Sequence, residues 1–361
     1  MALFQKPPES LCILRLSALG DVTHVVPVIR CLQHAWPETR LTWIIGKLER
    51  RLLGNFSGVE FIEFDKRGGW PAVRKLNRQL SGRRFSALLH MQVAARANLL
   101  SRLVRSPLRL GWDRARSRDL HHWFTNRRVA PVAFQHQTLA FLEFARALGL
   151  EPGEPRWSLP ISAEAENWAR EHTGSGRPVI VISPCSSHTL RNWRPEFYAA
   201  AGDFAHQSWG ARVILTGGPS PAEVRMAKAI ANAMKAPSLN LVGKDTLEQS
   251  KALLQRADLV ISPDAGPAHI ASALGTPVLG LYAATWSRRS GPYRSLQLCV
   301  DRFREAARRF RGREPEELRW GTRIETEGVM DLIQPGDVIE QLRTWRAASE
   351  SPPGGASDTS S

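Results

Sequence analysis

The sequence predicts an α/β protein of two Rossmann-like domains facing one another across a cleft, and three observations carry that reading. Short apolar runs alternate with longer amphipathic segments from Leu11 onward, the pattern of β-α units feeding a parallel sheet. The alternation halts at EPGEPRWSLP (151–160), where three prolines and a glycine stand among few apolar residues, and then restarts. The chain has 361 residues, too many for one ordinary core and suited to two domains of about 150 residues each with a tail left over. Hydrophobic residues at 43% and charged residues at 23% place it among globular rather than disordered chains.

In order along the first half, LCILRL (11–16) reads as a buried strand and Val22 to Trp36 as a helix that Pro37 ends. LTWII (41–45), VEFIEF (59–64) and FSALLHM (85–91) are further strands with helices between them, and Leu139 to Leu150 is a closing helix. The domain is set at 1–150 and the linker at 151–160. The second domain, 161–345, repeats the scheme. Its strands are PVIVIS (178–183), ARVILTGG (211–218), ADLVIS (257–262) and TPVLGLY (276–282). Its helices are Pro195–Gln207, Ala222–Met234, Leu247–Arg256 and Pro267–Leu274. After about residue 300 the pattern weakens, although 337–347 suits a helix; the tail, 346–361, ends in the low-complexity ESPPGGASDTSS and is expected to be disordered.

Cys12, Cys31, Cys185 and Cys299 form no CxxC pair and no His/Cys cluster with zinc spacing, so a reducing cytoplasm fits, with neither disulfide framework nor structural metal. MALFQKPPESL places two prolines and a glutamate where the apolar core of a secretory signal would run, and no uninterrupted apolar stretch is long enough to cross a bilayer. The net charge of +15 calls for an anionic partner: nucleic acid, a membrane surface or a phosphorylated substrate. Arg96, Arg102, Arg105, Arg109, Arg114, Arg116, Arg118, Arg127 and Arg128 crowd one stretch opposed only by Asp113 and Asp119, so the first domain carries the basic face.

Chemistry concentrates at three strand-to-helix turns. In SALGDVTHVVP (17–27), Ser17, Gly20 and Asp21 follow a strand, where open α/β sheets present ligands. Gly20 offers a backbone freedom other residues lack, and Asp21 is either a functional carboxylate or an ordinary helix cap. GxGxxG is absent, which weighs against a dinucleotide site. In SPCSSHTLRNWRPEFY (183–198), Ser186 and Ser187 offer hydroxyls and amides and Arg191 a guanidinium suited to phosphate oxygens, unless the loop is merely solvated. In SPDAGPAHIASALGTP (262–277), the Gly266-Pro267-Ala268 stretch would place free N–H groups at a helix start, an anion site, with Asp264, Ala265 and His269 beside it. Taken alone, His269 also reads as a structural histidine.

Together these motifs resemble the heptosyltransferases of glycosyltransferase family 9, through Gly20-Asp21, Ser186 to Pro195, Gly217-Gly218-Pro219 and Asp264 to His269. LGWDRARSRDL (110–120) and the His136-led FQHQTLAFLEFA (134–145) add further similarity, so that it spans roughly residues 11 to 300. The resemblance implies a GT-B architecture with the acceptor on the N-terminal domain, ADP-heptose on the C-terminal domain, and inversion at the anomeric carbon without a metal or other cofactor. It implies that Asp21 is the general base and that Arg191, where many members have lysine, neutralises the departing diphosphate with Ser186, Ser187 and the amides at Gly266. Gly217 and Gly218 fall in its donor-side turn. Ser220 and Glu223 compete for a ribose contact, and an adenine pocket is expected near Leu241 to Thr246. Ser17, Gly20, Arg96, Arg109, Asp113, Arg114, Arg116 and His136 are implied on the acceptor side.

The implied acceptor is lipid A-Kdo or a heptosylated lipopolysaccharide core, whose carboxylates and phosphates suit arginine; some of the basic stretch is expected to be simply solvated. The expected setting is the cytoplasm, peripheral to the inner face of the cytoplasmic membrane. Another transferase or an epimerase on the same fold is the nearer alternative, since a fold does not fix a reaction. Nucleic-acid binding is the more distant one. Arginines interleaved with Trp112 and Trp123 suggest it, but no recognised motif supports it, so no nucleic acid is expected.

Overall fold

The computed structural model describes residues 2–350. The chain is α/β and divides into two compact units, one running to Ala169 and including Thr246–Ala252, the other formed by Arg170–Asp245 and the chain from Leu253 onward. In the first unit the elements are β1 (Ser10–Leu14), α1 (Leu19–Ala35), β2 (Arg40–Gly46), α2 (Lys47–Leu52), β3 (Glu60–Phe64), α3 (Gly69–Leu80), β4 (Ala87–His90), α4 (Ala95–Ser101), β5 (Leu108–Gly111), β6 (Arg127–Arg128) and α5 (Gln137–Leu148). The stretch 151–160 carries neither helix nor strand. The division falls later, inside α6 (Ala163–Thr173), because Ala165 and Ala169 pack with Ala252 in a small cluster joined by Ile161 and Trp168.

The six strands of the first unit form one parallel sheet ordered β3-β2-β1-β4-β5-β6. Central β1 is buried along its whole length, which is why its sequence is continuously apolar rather than alternating. Helix α1 starts at Leu19 rather than Val22, so Gly20 and Asp21 lie in its first turn. Its internal Pro27 lacks the N–H that would bond the carbonyl of Thr23. Trp157, from the irregular stretch, supplies the substitute through Nε1 at 2.9 Å and so ties that stretch to α1.

The second unit runs β7 (Val179–Ile182), α7 (Pro195–Trp209), β8 (Arg212–Leu215), α8 (Pro221–Ala233), β9 (Ser238–Asn240), α9 (Leu247–Arg256, whose first half belongs to the first unit), β10 (Leu259–Pro263), α10 (Gly266–Leu274), β11 (Val278–Tyr282), α11 (Ser287–Ser290), β12 (Val300–Asp301), α12 (Phe303–Arg311) and α13 (Pro335–Glu350). Its sheet is again parallel and six-stranded, ordered β12-β11-β10-β7-β8-β9. Counted from each unit's own first strand, both sheets read 3-2-1-4-5-6, the Rossmann order. Between α12 and α13 the chain is largely irregular, yet Ile324, Val329, Met330 and Ile333 enter the core, and Trp193 donates from Nε1 to the carbonyl of Ile333 at 2.9 Å. Helix α13 continues to Glu350, past the expected start of a disordered tail at 346; the rest of that tail, 351–361, lies outside the described residues. Among the described residues no helix is long and apolar enough to cross a membrane.

Candidate active site

A 3-2-1-4-5-6 sheet has a switch point between its first and fourth strands, where successive connections leave toward opposite faces and open a crevice outside the strands' carboxyl ends. In the first unit that point lies between β1 and β4, and in the second between β7 and β10. The three turns singled out from the sequence leave three of these four strands, β1, β7 and β10.

Past β1, Arg15 bridges the first crevice: its Nη1 donates to the carbonyl of Met91 beyond β4 at 2.7 Å, and its Nη2 pairs with Asp21 at 2.5 Å. Gln92 makes a parallel strap, accepting the N–H of Leu16 at 2.6 Å and donating to Ser17 Oγ at 3.1 Å. The Asp21 carboxylate also accepts the N–H of Ala18 at 3.2 Å while its side chain remains 35% exposed. Asp21 is therefore a cap and an accessible carboxylate together. Gly20 is a correction: it is buried in right-handed helix, so its role is not an unusual φ. A glycine is required instead at Gly46, where a Cβ would come within 2.3 Å of the Leu16 carbonyl oxygen beside this turn.

The residues expected to meet the acceptor separate into two groups. Arg109 donates from Nε to Phe124, from Nη1 to Val104 and from Nη2 to Ser101, so its guanidinium ties the end of α4 to the segment after β5. Asp113 is nearly buried, accepts the N–H of Ala115 at 2.8 Å, and is ion-paired with Arg116, which also donates to the carbonyl of Ala130 at 2.7 Å. His136 caps α5 by accepting the N–H of Thr138 at 3.1 Å. All three are thus engaged by neighbouring groups, as polar groups of low exposure must be. Arg96 and Arg114 stay exposed, although Arg96 donates to the carbonyl of Lys66 at 2.8 Å.

Beneath this loop lie two fully buried histidines, His90 at the end of β4 and His121, with ring centroids 4.4 Å apart. His121 accepts the N–H of Trp112 at Nε2 and stands 2.9 Å from Asn98 Oδ1 at Nδ1, which identifies the Nδ1-protonated neutral form. Burial, with the charges of His122 and Arg128, pulls it down to about 4.

In the second unit Arg191 follows β7 and is nearly buried, with its guanidinium ion-paired to Glu325. Burial raises the Glu325 carboxyl, but Arg191, His188 and Arg323 outweigh it and hold the group below its ordinary value. Ser186 shapes the loop, its N–H bonding Asn192 Oδ1 at 2.8 Å, while Ser187 is exposed. Past β10, Asp264 lies 3.5 Å from His269 Nε2 and accepts from Ser290 Oγ at 3.2 Å. Burial would raise its carboxyl, yet His269, Thr285 and the charge of Arg191 hold it lower. Helix α10 begins at Gly266 behind Ala265, which has no side chain to cap the first-turn N–H groups. The turn after β8 closes on itself: Glu223 accepts the N–H of Gly218 at 2.6 Å and the Ser220 hydroxyl at 2.9 Å, and Ser220 caps α8. A Cβ at Gly217 or Gly218 would come within 2.9 or 3.0 Å of the Glu223 carboxylate. Both contenders for a ribose contact, Ser220 and Glu223, are thus bonded to one another within their own turn.

Three site residues escaped the sequence reading. Arg15 was visible as a charge closing an apolar strand run, and Gln92 as a polar residue just past a strand end. Glu325 had no local signal, since it lies in irregular chain and meets Arg191 from far along the sequence. Among the described residues no group of three or more His, Cys, Asp or Glu is placed to hold a metal ion.

The glycosyltransferase family 9 (heptosyltransferase) model matches residues 73–318, more than half of the chain. The lipopolysaccharide core heptosyltransferase OpsX of Haemophilus influenzae is 39% identical over 343 residues, covering 95% of this chain and 99% of that protein. Among solved structures, a family 9 glycosyltransferase from Veillonella parvula superposes with a TM-score of 0.77 at 18% identity, covering 96% of this chain and 99% of that one. ADP-heptose LPS heptosyltransferase II of E. coli superposes with a TM-score of 0.70 at 18% identity, covering 95% and 100%. With the Rossmann order repeated in both units and matches of this extent, the chain belongs to glycosyltransferase family 9, the heptosyltransferase family.

Proposed function

We propose that the protein transfers heptose from ADP-heptose to an inner-core sugar of lipopolysaccharide, Kdo or heptose, with inversion and without a divalent ion. The observation that carries this reading is the stocking of the two switch points: an accessible carboxylate in the first unit, and a guanidinium with an uncapped helix start in the second. The first set suits proton removal and the second suits a diphosphate. The acceptor hydroxyl attacks the anomeric carbon and passes its proton to Asp21. The bond to the β-phosphate oxygen breaks, its electron pair leaves with ADP, and Arg191 together with the α10 N–H groups balances the charge that develops. Asp264 and His269 line the same crevice as an oriented pair toward the sugar or its phosphates, while Ser186 and Ser187 border it. The acceptor is held from the first unit, with Ser17, Arg96 and Arg114 as its remaining polar contacts. Because such an acceptor is anchored in a bilayer, the enzyme works at the inner face of the cytoplasmic membrane.

Incubation with ADP-heptose and truncated lipopolysaccharides of defined length, followed by mass spectrometry, tests this directly. A mass gain of one heptose on a single acceptor length is the expected result. Equal turnover with other sugar nucleotides, or no gain on any acceptor, defeats the reading, and loss of turnover in EDTA defeats its metal-independent part.

A further inference from the structure

Large apolar side chains on a stable surface ordinarily sit singly. Around α4 several stand together: Trp70 is 77% exposed, Leu99 67%, Trp123 68% and Leu120 53%. The elements that carry them are laced to one another. Arg96 on α4 donates to the carbonyl of Lys66 in the segment leading into α3 at 2.8 Å, which brings in Trp70. On its other side, the N–H of Ala95 donates to Asp119 Oδ2 at 3.0 Å and Asn98 Nδ2 donates to the Asp119 carbonyl at 2.7 Å, which brings in Leu120 and Trp123. The guanidinium of Arg102 lies 6.0 Å from the Phe124 ring centroid in the same place.

Leu120 has φ of +58° and Asp119 +51°, a left-handed backbone that costs energy at both residues. Neither burial nor turn preference accounts for an exposed leucine held there. Arg67, Arg102, Arg118, Arg127 and Arg128 are exposed around these side chains. The acids nearby are fewer: Asp113 pairs with Arg116, while Asp65 and Asp119 accept the backbone N–H groups of Arg67 and Ala95 and keep their charge.

We infer that this face, built on α4, the turn into α3 and the 118–124 loop, docks onto an anionic lipid bilayer, with Trp70, Leu99, Leu120 and Trp123 entering the headgroup boundary and the arginines contacting lipid phosphates. Tryptophan rings prefer that depth, leucine enters just below it, and arginine reaches back to the charged layer along its apolar stem. An acidic protein partner would answer the charge but leave the protruding apolar groups, which stand on separate elements, without a matching cavity. The inference deepens the reading above, in which the acceptor is membrane-anchored, but it is tested without that reading.

The full chain and a variant combining Trp70→Ser, Leu99→Ser, Leu120→Asn and Trp123→Ser are sedimented with phosphatidylcholine vesicles with or without phosphatidylglycerol. Asparagine tolerates the left-handed backbone and the other positions are exposed, so the fold is retained. The wild type should bind the phosphatidylglycerol vesicles, the variant about tenfold or more weakly, and both should turn over a deacylated, soluble acceptor equally. Equal sedimentation of the two proteins, no binding by the wild type, or a loss confined to RNA or DNA added in place of vesicles overturns the inference. A vesicle difference without transfer from ADP-heptose by either protein keeps the docking face and removes the proposed reaction.

Discussion

The two units repeat one strand order yet differ in how far acids answer their arginines. In the second, arginines close to acids are paired: Arg191 with Glu325, Arg194 with Asp331, Arg302 with Asp337, and Arg304 with Glu314 and Glu316. The first also pairs Arg15 with Asp21, Arg40 with Glu9, Arg83 with Glu60, Arg116 with Asp113 and Arg146 with Glu143, yet Arg102, Arg114, Arg118, Arg127 and Arg128 remain exposed in a stretch that holds only two acids, Asp113 and Asp119. The same Rossmann scaffold thus carries, in the first unit alone, a stretch whose exposed arginines outnumber the acids beside them. An anion that binds the second unit must compete with Glu325 for Arg191, which favours a ligand of high charge density such as a diphosphate. The first unit offers many separate cations to a large, distributed anion.

The sharpest way to break this comparison is at the two crevices. Asp21→Asn should lower turnover by about 10²–10⁴ while ADP-heptose affinity changes no more than a few-fold, because the carboxylate acts on the acceptor's proton. Retention of a third or more of wild-type turnover would leave Asp21 as a helix cap and an ion-pair partner alone. Arg191→Ala should reverse the pattern: donor binding and turnover fall together, by roughly 10–100-fold, since the cation touches the diphosphate in the ground state and more strongly as ADP leaves. Lysine at 191 should restore part of the loss. Isothermal titration with ADP beside steady-state kinetics reads both effects, and an alanine variant with wild-type rate and affinity would mean that Arg191 serves Glu325 only.

Much of this was legible because parallel sheets write themselves as repeated apolar runs, and because strand ends in such sheets are where ligands bind. Asp21, Arg191, Asp264 and His269 all fell at such ends. What could not be read was the partner of each charge. LCILRL shows that Arg15 is unusual, but only the fold brings it to Asp21 and Met91. Arg109, Asp113, Arg116 and His136 resembled binding residues by type and position, yet each satisfies nearby polar groups, a matter of loop geometry that no spacing rule encodes. Helix α12 was missed because it buries only Phe303, Ala306 and Ala307, leaving an apolar stripe too narrow to stand out among its arginines.

Acid should separate the units more gently. Burial, the charge of His121 and those of Arg109 and Arg15 hold His90 well below its ordinary value, and His121 itself lies at about 4. The folded chain therefore refuses protons that the unfolded chain accepts below about pH 6.5, and each histidine withdraws about 1.4 kcal/mol of stability per pH unit until its folded value is reached. In the second unit Asp264 and Glu325 are depressed carboxylates, whose contribution persists above about pH 4 and is lost only as pH falls through their folded values. Thermal midpoints measured from pH 7 down to 5 should decline, with a shallower slope in His121→Gln than in the wild type even if that variant is less stable throughout. A flat wild-type profile over this range would rule out the buried pair as the acid-sensitive element.

The smallest expected effects come from splitting the arginines of the first unit by what they touch. Arg96 and Arg114 are exposed, so Arg96→Gln and Arg114→Gln should each raise the acceptor KM a few-fold, lessen its dependence on salt, and leave the donor KM and the thermal midpoint close to wild type. Arg109→Gln and Arg116→Gln should do the opposite. Removing Arg109 strips partners from the carbonyls of Ser101, Val104 and Phe124, and removing Arg116 leaves the nearly buried Asp113 without its cation, each costing about 1–3 kcal/mol of stability before any effect on substrate. If all four raised the acceptor KM equally at unchanged stability, the loop's internal bonds would have to open on binding and the division between structural and acceptor-facing arginines would fail. If instead Arg96→Gln and Arg114→Gln weakened the donor, the assignment of the uncompensated surface to the acceptor would be the part to give up.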